Sequence, residues 1–104
     1  MRYRMLGLDV DGTLLDPSGE LRDDAREAVA EARRRGLRVV LCTGRRLRTA
    51  LPIARALELD DALVVNNGVL VKDAQSGATL RHEYLAAHAY PEVLDLLRQS
   101  LARR

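Results

Sequence analysis

The sequence predicts an α/β fold built around a parallel sheet, and three observations carry that prediction. Short apolar runs alternate with segments of helical spacing, in the order β-α-β-α-β. Each of the three runs ends in a polar turn with a glycine: Asp9-Val10-Asp11-Gly12, Thr43-Gly44-Arg45 and Asn66-Asn67-Gly68. Right-handed crossovers bring three such carboxyl ends to one edge of the sheet, where open α/β sheets bind their ligands.

The first element, Tyr3 to Val10, is apolar on both faces and predicts a central strand. The polar stretch from Asp11 to Arg22 follows as a loop. Asp24 and Glu27 have the spacing of a capping box, and Ala25, Ala28, Val29 and Ala32 recur at helical intervals. Arg33, Arg34 and Arg35 crowd the last turn, and Gly36 supplies the stop. Leu37 to Gly44 predicts a second buried strand. A second helix is expected from Thr49 to Leu57, with Thr49 as cap and Pro52 in the first turn. Residues 62–68 give the third strand and its turn. The stretch from Val69 to Leu85 predicts an antiparallel hairpin around Ser76-Gly77, and Pro91 to Leu101 a last amphipathic helix.

Composition narrows the function. Hydrophobic residues make up 47% of the 104, enough for one small core, which lacks Phe and Trp and so rests on aliphatic side chains. A net charge of +2 is far from the dense basic patch of a nucleic-acid binder. The one cysteine, Cys42, excludes an internal disulfide and a Cys-rich zinc site, and is expected to pack as a small apolar residue. The first ten residues hold too short an apolar run for a signal peptide, and no segment approaches the ~20 apolar residues of a membrane span. A cytoplasmic protein without a nucleic-acid or membrane partner is expected. His82 and His88 lack metal-ligand spacing and read as solvated surface.

Asp9 and Asp11 stand two residues apart, so on extended backbone their carboxylates share a face at about 7 Å. Such a pair can hold a divalent cation, or act as nucleophile and proton shuttle on either side of a reacting group. Gly12 permits a sharp turn and close approach to an anion, and Thr13 adds a hydroxyl. Thr43 and Gly44 offer a hydroxyl and backbone N–H groups suited to phosphate oxygens. Two carboxylates alone would repel phosphate, so a cation is required, and hard oxygen ligands favour Mg²⁺. Arg45 and Asn67 lie in the adjoining turns and are candidates for substrate-side contacts; a plain tight turn explains Asn67 equally well.

The stretch "LGLDVDGTLLD" resembles motif I of the haloacid dehalogenase-like (HAD) phosphohydrolases, a hydrophobic strand followed by DxDGT. "VVLCTGR" resembles their motif II, and the TGR form with the later "NNGVLV" is most similar to the Cof-type, capped subfamily. The resemblance implies a Rossmann-like three-layer sandwich. It implies Asp9 as the nucleophile that forms an aspartyl-phosphate, and Asp11 as the acid and base for the leaving oxygen and the water. It further implies Mg²⁺ on the Asp9 carboxylate and the Asp11 carbonyl, Gly12, Thr43 and Gly44 on the phosphoryl group, and a small phosphorylated metabolite as substrate.

The family also uses a third motif with a lysine and a fourth with an acidic run. The only lysine here is Lys72, in the hairpin. Residues 1–104 therefore read as the N-terminal part of a HAD-like core, lacking the cap domain and the C-terminal core strands. A truncated module that binds Mg²⁺ or phosphate without turnover is the alternative. On this reading the first strand has an open edge, and self-association through it is expected. A receiver domain would need its acceptor aspartate on the third strand, which ends in Asn66-Asn67. A dinucleotide-binding fold would need G-x-G-x-x-G where this chain has D-G-T.

Overall fold

The computed structural model describes residues 2–103. Its strands are β1 (Met5–Leu8), β2 (Arg38–Cys42), β3 (Ala62–Val65), β4 (Leu70–Asp73) and β5 (Thr79–His82). Its helices are α1 (Asp23–Arg34), α2 (Leu47–Ala56) and α3 (Tyr90–Ala102), with a single 3₁₀ turn at Asn66–Gly68.

The five strands form one sheet in sequence order. β1, β2 and β3 are parallel, joined by α1 and α2, so the predicted β-α-β-α-β unit is present. β4 and β5 add antiparallel, closing the predicted hairpin around Ser76-Gly77. Leu8 pairs with Leu41, Leu41 with Leu63, and Cys42 with Val64. That register sets the carboxyl ends of the three parallel strands level with one another.

The core follows from strand alternation. Val39 and Leu41 of β2 and Leu63 and Val65 of β3 are buried with Val10, Leu14 and Val29, and with Ala50 and Ala54 of α2. The small side chains on α2 let that helix approach the sheet closely. Gly36, with φ +89°, ends α1 as the sequence predicts: the Gly36 N–H donates to the Arg33 carbonyl and the Leu37 N–H to the Ala32 carbonyl. The same pair of bonds ends α2, from Glu58 to Arg55 and from Leu59 to Ala54, and here the left-handed position is held by Glu58 at φ +57°.

The starts of α1 and α2 differ from the expectation. α1 begins at Asp23, with no side chain capping it. Leu15 and Leu21 bridge across the preceding loop and the Arg22 N–H donates to the Leu14 carbonyl. These contacts hold Arg22 extended, and its carbonyl takes the first helical bond from Arg26. Asp23 and Asp24 thus sit in the first turn, where carboxylates suit the helix dipole. α2 begins at Leu47 because the Thr43–Arg45 turn ends there, and the Arg46 carbonyl receives both the Thr49 and Ala50 N–H groups. Pro52 consequently lies inside the helix, beyond the first turn.

β1 is shorter than Tyr3–Val10 and is not dry. It is the edge strand of the sheet, and Tyr3, Met5 and Leu6 are 73%, 52% and 36% exposed. Beside it, Leu6, Leu8, Ala25, Ala28 and Val29 line an apolar groove of about 300 Å³. In α3 every residue is exposed apart from half-buried Leu94. The Cα radius of gyration of 17.2 Å exceeds the about 13 Å of a compact chain this long. No helix among the described residues is long and apolar enough to cross a membrane.

Candidate active site

The strand tips are stitched together by backbone bonds. The Thr43 N–H donates to the Val64 carbonyl at 2.9 Å, extending the β2–β3 pairing by one residue. Asn66 donates to the Arg45 carbonyl and Asn67 to the Thr43 carbonyl, at 2.9 and 3.0 Å. Asn66 and Asn67 both adopt positive φ, 51° and 55°, a conformation that asparagine tolerates better than most residues. The bonds to the neighbouring tip hold them there.

Thr43 is the one buried polar residue among those described, 5% exposed. Its Oγ1 accepts the Arg45 N–H at 3.0 Å, which leaves the hydroxyl hydrogen free to donate elsewhere. Gly44 has no side chain for a packing reason: a Cβ there would stand 3.0 Å from Asn67 Oδ1. Asp9 follows β1 directly and is exposed, with one carboxylate oxygen accepting the Val10 N–H at 2.9 Å.

These groups share a cleft of about 330 Å³ lined by Asp9, Cys42, Thr43, Gly44, Val64, Asn67 and Gly68. Of the residues singled out in the sequence, Asp9, Thr43, Gly44 and Asn67 are thus brought together. Asp11 and Gly12 line a neighbouring depression of about 460 Å³ with Leu15, Asp16, Pro17, Gly19 and Arg22. The strand stops at Leu8, and three N–H groups, from Thr13 to Leu15, converge on the Val10 carbonyl. This turn, with Gly12 at φ +76°, replaces the extended backbone that would have set both carboxylates on one face.

Arg45 ties the Thr43 turn to Asp11. Its Nε donates to Asp11 Oδ2 at 2.8 Å and its Nη2 to Asp11 Oδ1 at 2.7 Å. These hydrogen bonds hold the Asp11 carboxyl below the usual carboxylate range. Asp16 is also held low, first by the Ser18 hydroxyl and then by the Glu20 N–H, in the loop that rims the second depression.

Two features escaped the sequence. The Arg45–Asp11 pair spans 34 positions, and nothing local signals it. Cys42 was expected to be packed, but it is exposed in the cleft wall beside Asp9. The position of Cys42 as the last residue of β2, against the Thr43-Gly44 turn, was the signal available for it.

The family model of the haloacid dehalogenase-like hydrolases matches residues 6–102. The chain belongs to the haloacid dehalogenase-like hydrolases. Among curated HAD relatives, the pyridoxal phosphate phosphatase YbhA of Escherichia coli is 30% identical, over 95% of this chain and 36% of its own length. The HMP-PP phosphatase of Serratia proteamaculans is 34% identical, over 88% of this chain and 33% of its own. Among solved structures, a HAD-superfamily phosphatase from Bacteroides thetaiotaomicron superposes with a TM-score of 0.82 at 26% identity, over 93% of this chain and 35% of that one. A HAD/COF-like hydrolase of Plasmodium vivax gives 0.75 at 28%, over 94% and 37%. The chain spans about a third of the length of these HAD proteins.

Proposed function

We propose that this chain carries the nucleophile side of a Mg²⁺-dependent phosphohydrolase site for a small phosphorylated metabolite. The observation that carries the reading is the cleft itself: exposed Asp9 faces the Thr43–Gly44 turn across adjacent strand tips. The HAD relatives support it, since the two named above are phosphatases for pyridoxal phosphate and HMP-PP. Residues 1–104 would then be the N-terminal part of the core domain.

In this scheme an Asp9 carboxylate oxygen attacks phosphorus, a phosphorus–oxygen bond forms, and the ester bond to the leaving oxygen breaks. Asp11 gives that oxygen a proton, later takes one from water, and the water oxygen displaces Asp9 from phosphorus. Thr43 Oγ1 and the N–H groups of the Gly44 turn hold the phosphoryl oxygens, with Gly12 letting the β1 turn come close. Asn67 and Arg45 border the substrate side.

The residues present fit Mg²⁺. Asp9 offers a solvent-facing carboxylate, and among the described residues no N–H donates to the Asp11 carbonyl. Two hard protein oxygens, completed by water and substrate phosphate, suit an ion that retains much of its hydration. Bound there, Mg²⁺ would neutralise the charge that sets phosphate against two carboxylates.

A second reading is binding without turnover. It draws on the metal ligands: among the described residues no three His, Cys, Asp or Glu side chains cluster. Phosphate release from a panel of phosphomonoesters separates the two. The first reading expects Mg²⁺-dependent release that Asp9→Asn lowers by at least about 1,000-fold. Phosphate binding with no release from any ester favours the second, and release undiminished in Asp9→Asn removes the first.

A further inference from the structure

We infer that Arg45 is a positioning residue that exchanges partners, holding Asp11 while the cleft is free of phosphate and turning to the phosphoryl oxygens when a phosphate group enters. The inference rests on the phosphate reading of the Asp9 cleft and goes beyond it.

The Arg45 backbone is fixed at the cleft, since its N–H is bound to Thr43 Oγ1 and its carbonyl takes the Asn66 N–H. Only its side chain is left to move. At present the guanidinium uses Nε and Nη2 together, and so occupies both Asp11 oxygens. The fork turns both Asp11 oxygens toward Arg45, and although each keeps a second lone pair, release of one oxygen favours its approach to a leaving oxygen. The pair is weakly held, because Arg45 and Asp11 side chains are 30% and 60% exposed and water screens them. A phosphate group carries more charge than a carboxylate and accepts the same two-point grip. The Arg45 backbone is bound into the Thr43–Gly44 turn while its guanidinium holds Asp11, so a phosphate entering at that turn offers the guanidinium a stronger partner. The guanidinium's departure frees Asp11 at the moment the substrate arrives.

The test is a titration of the ¹⁵N-labelled chain with inorganic phosphate in Mg²⁺ buffer, following the Thr43 and Gly44 amides and the Arg45 Nε–Hε signal. Exchange predicts that all three signals shift with one midpoint, and that Arg45→Lys weakens that midpoint about tenfold. Amides that shift while Arg45 Nε–Hε stays put overturn the exchange and leave the phosphate site standing. That outcome would mean the guanidinium keeps Asp11 and offers at most its free Nη1. If neither amide nor guanidinium responds, the phosphate reading falls and the exchange with it. The wild-type arm decides the matter should Arg45→Lys fail to fold.

Discussion

Both carboxylate oxygens of Asp11 accept hydrogen bonds from Arg45, so the tip that follows β1 is tied to the tip that follows β2. Removing the guanidinium should let the Asp11 carboxyl return to its ordinary range. Its folded-state pKa lies below its unfolded value of 3.8. The pair's contribution to stability is therefore present above that value and fades as pH falls through the folded-state pKa. A ¹³C carboxyl titration of wild type and Arg45→Ala should show Asp11 titrating at higher pH in the variant. Identical curves would mean that the pair does not persist in solution.

Glu58 occupies a left-handed helix-ending position that glycine fills at the end of α1. Glu58→Gly should stabilise the fold by about 1 kcal/mol, seen as a rise in denaturation midpoint with an unchanged m-value. A fall in stability would show that the Glu58 side chain contributes contacts that outweigh its strained backbone.

Gly44→Ala separates stability from binding. The added Cβ presses on the Asn67 amide at 3.0 Å, and the exposed Asn67 side chain can yield. The cost to stability should stay below about 1 kcal/mol, while the reshaped turn lowers phosphate affinity. Equal losses in both would point to a backbone that cannot accommodate the methyl group.

Leu63 is 1% exposed in the core cluster, on β3 between Leu41 of β2 and Lys72 of β4, and Leu63→Ala should cost about 2–5 kcal/mol in urea denaturation. So short a chain has little stability to spare, and the variant is expected to be largely unfolded at 37 °C.

Exposed Met5 and Leu6 on an edge strand, and Val93, Leu96, Leu97 and Leu101 on α3, leave apolar surface open. Sedimentation velocity should show concentration-dependent association of the chain, and Leu6→Lys should reduce it. A monodisperse monomer at all concentrations would contradict the open-edge expectation.

The sequence was legible where local rules coincide with packing. Gly36 marked the end of α1, continuous apolar runs marked β2 and β3, and the three glycine-bearing turns marked the carboxyl ends of the parallel strands. Helix starts were misplaced because the Leu15–Leu21 bridge sets that of α1 and the Thr43–Arg45 turn that of α2, and neither is signalled by capping residues. The Asp9–Asp11 spacing assumed a strand running past Leu8, whereas the Val10 carbonyl gathers the turn and sends the two carboxylates to different depressions. Cys42 was misjudged because a strand's last residue faces the cleft that begins there.

The central claim is that Asp9 is the phosphoryl acceptor, and chemical trapping tests it most directly. The chain, or any longer polypeptide carrying it, is turned over on a hydrolysed phosphomonoester with Mg²⁺ and quenched with borohydride, which reduces an aspartyl-phosphate to homoserine. Peptide mass spectrometry is expected to find homoserine at position 9, and none in Asp9→Asn. Steady phosphate release with Asp9 recovered intact, or homoserine at another aspartate, would contradict it.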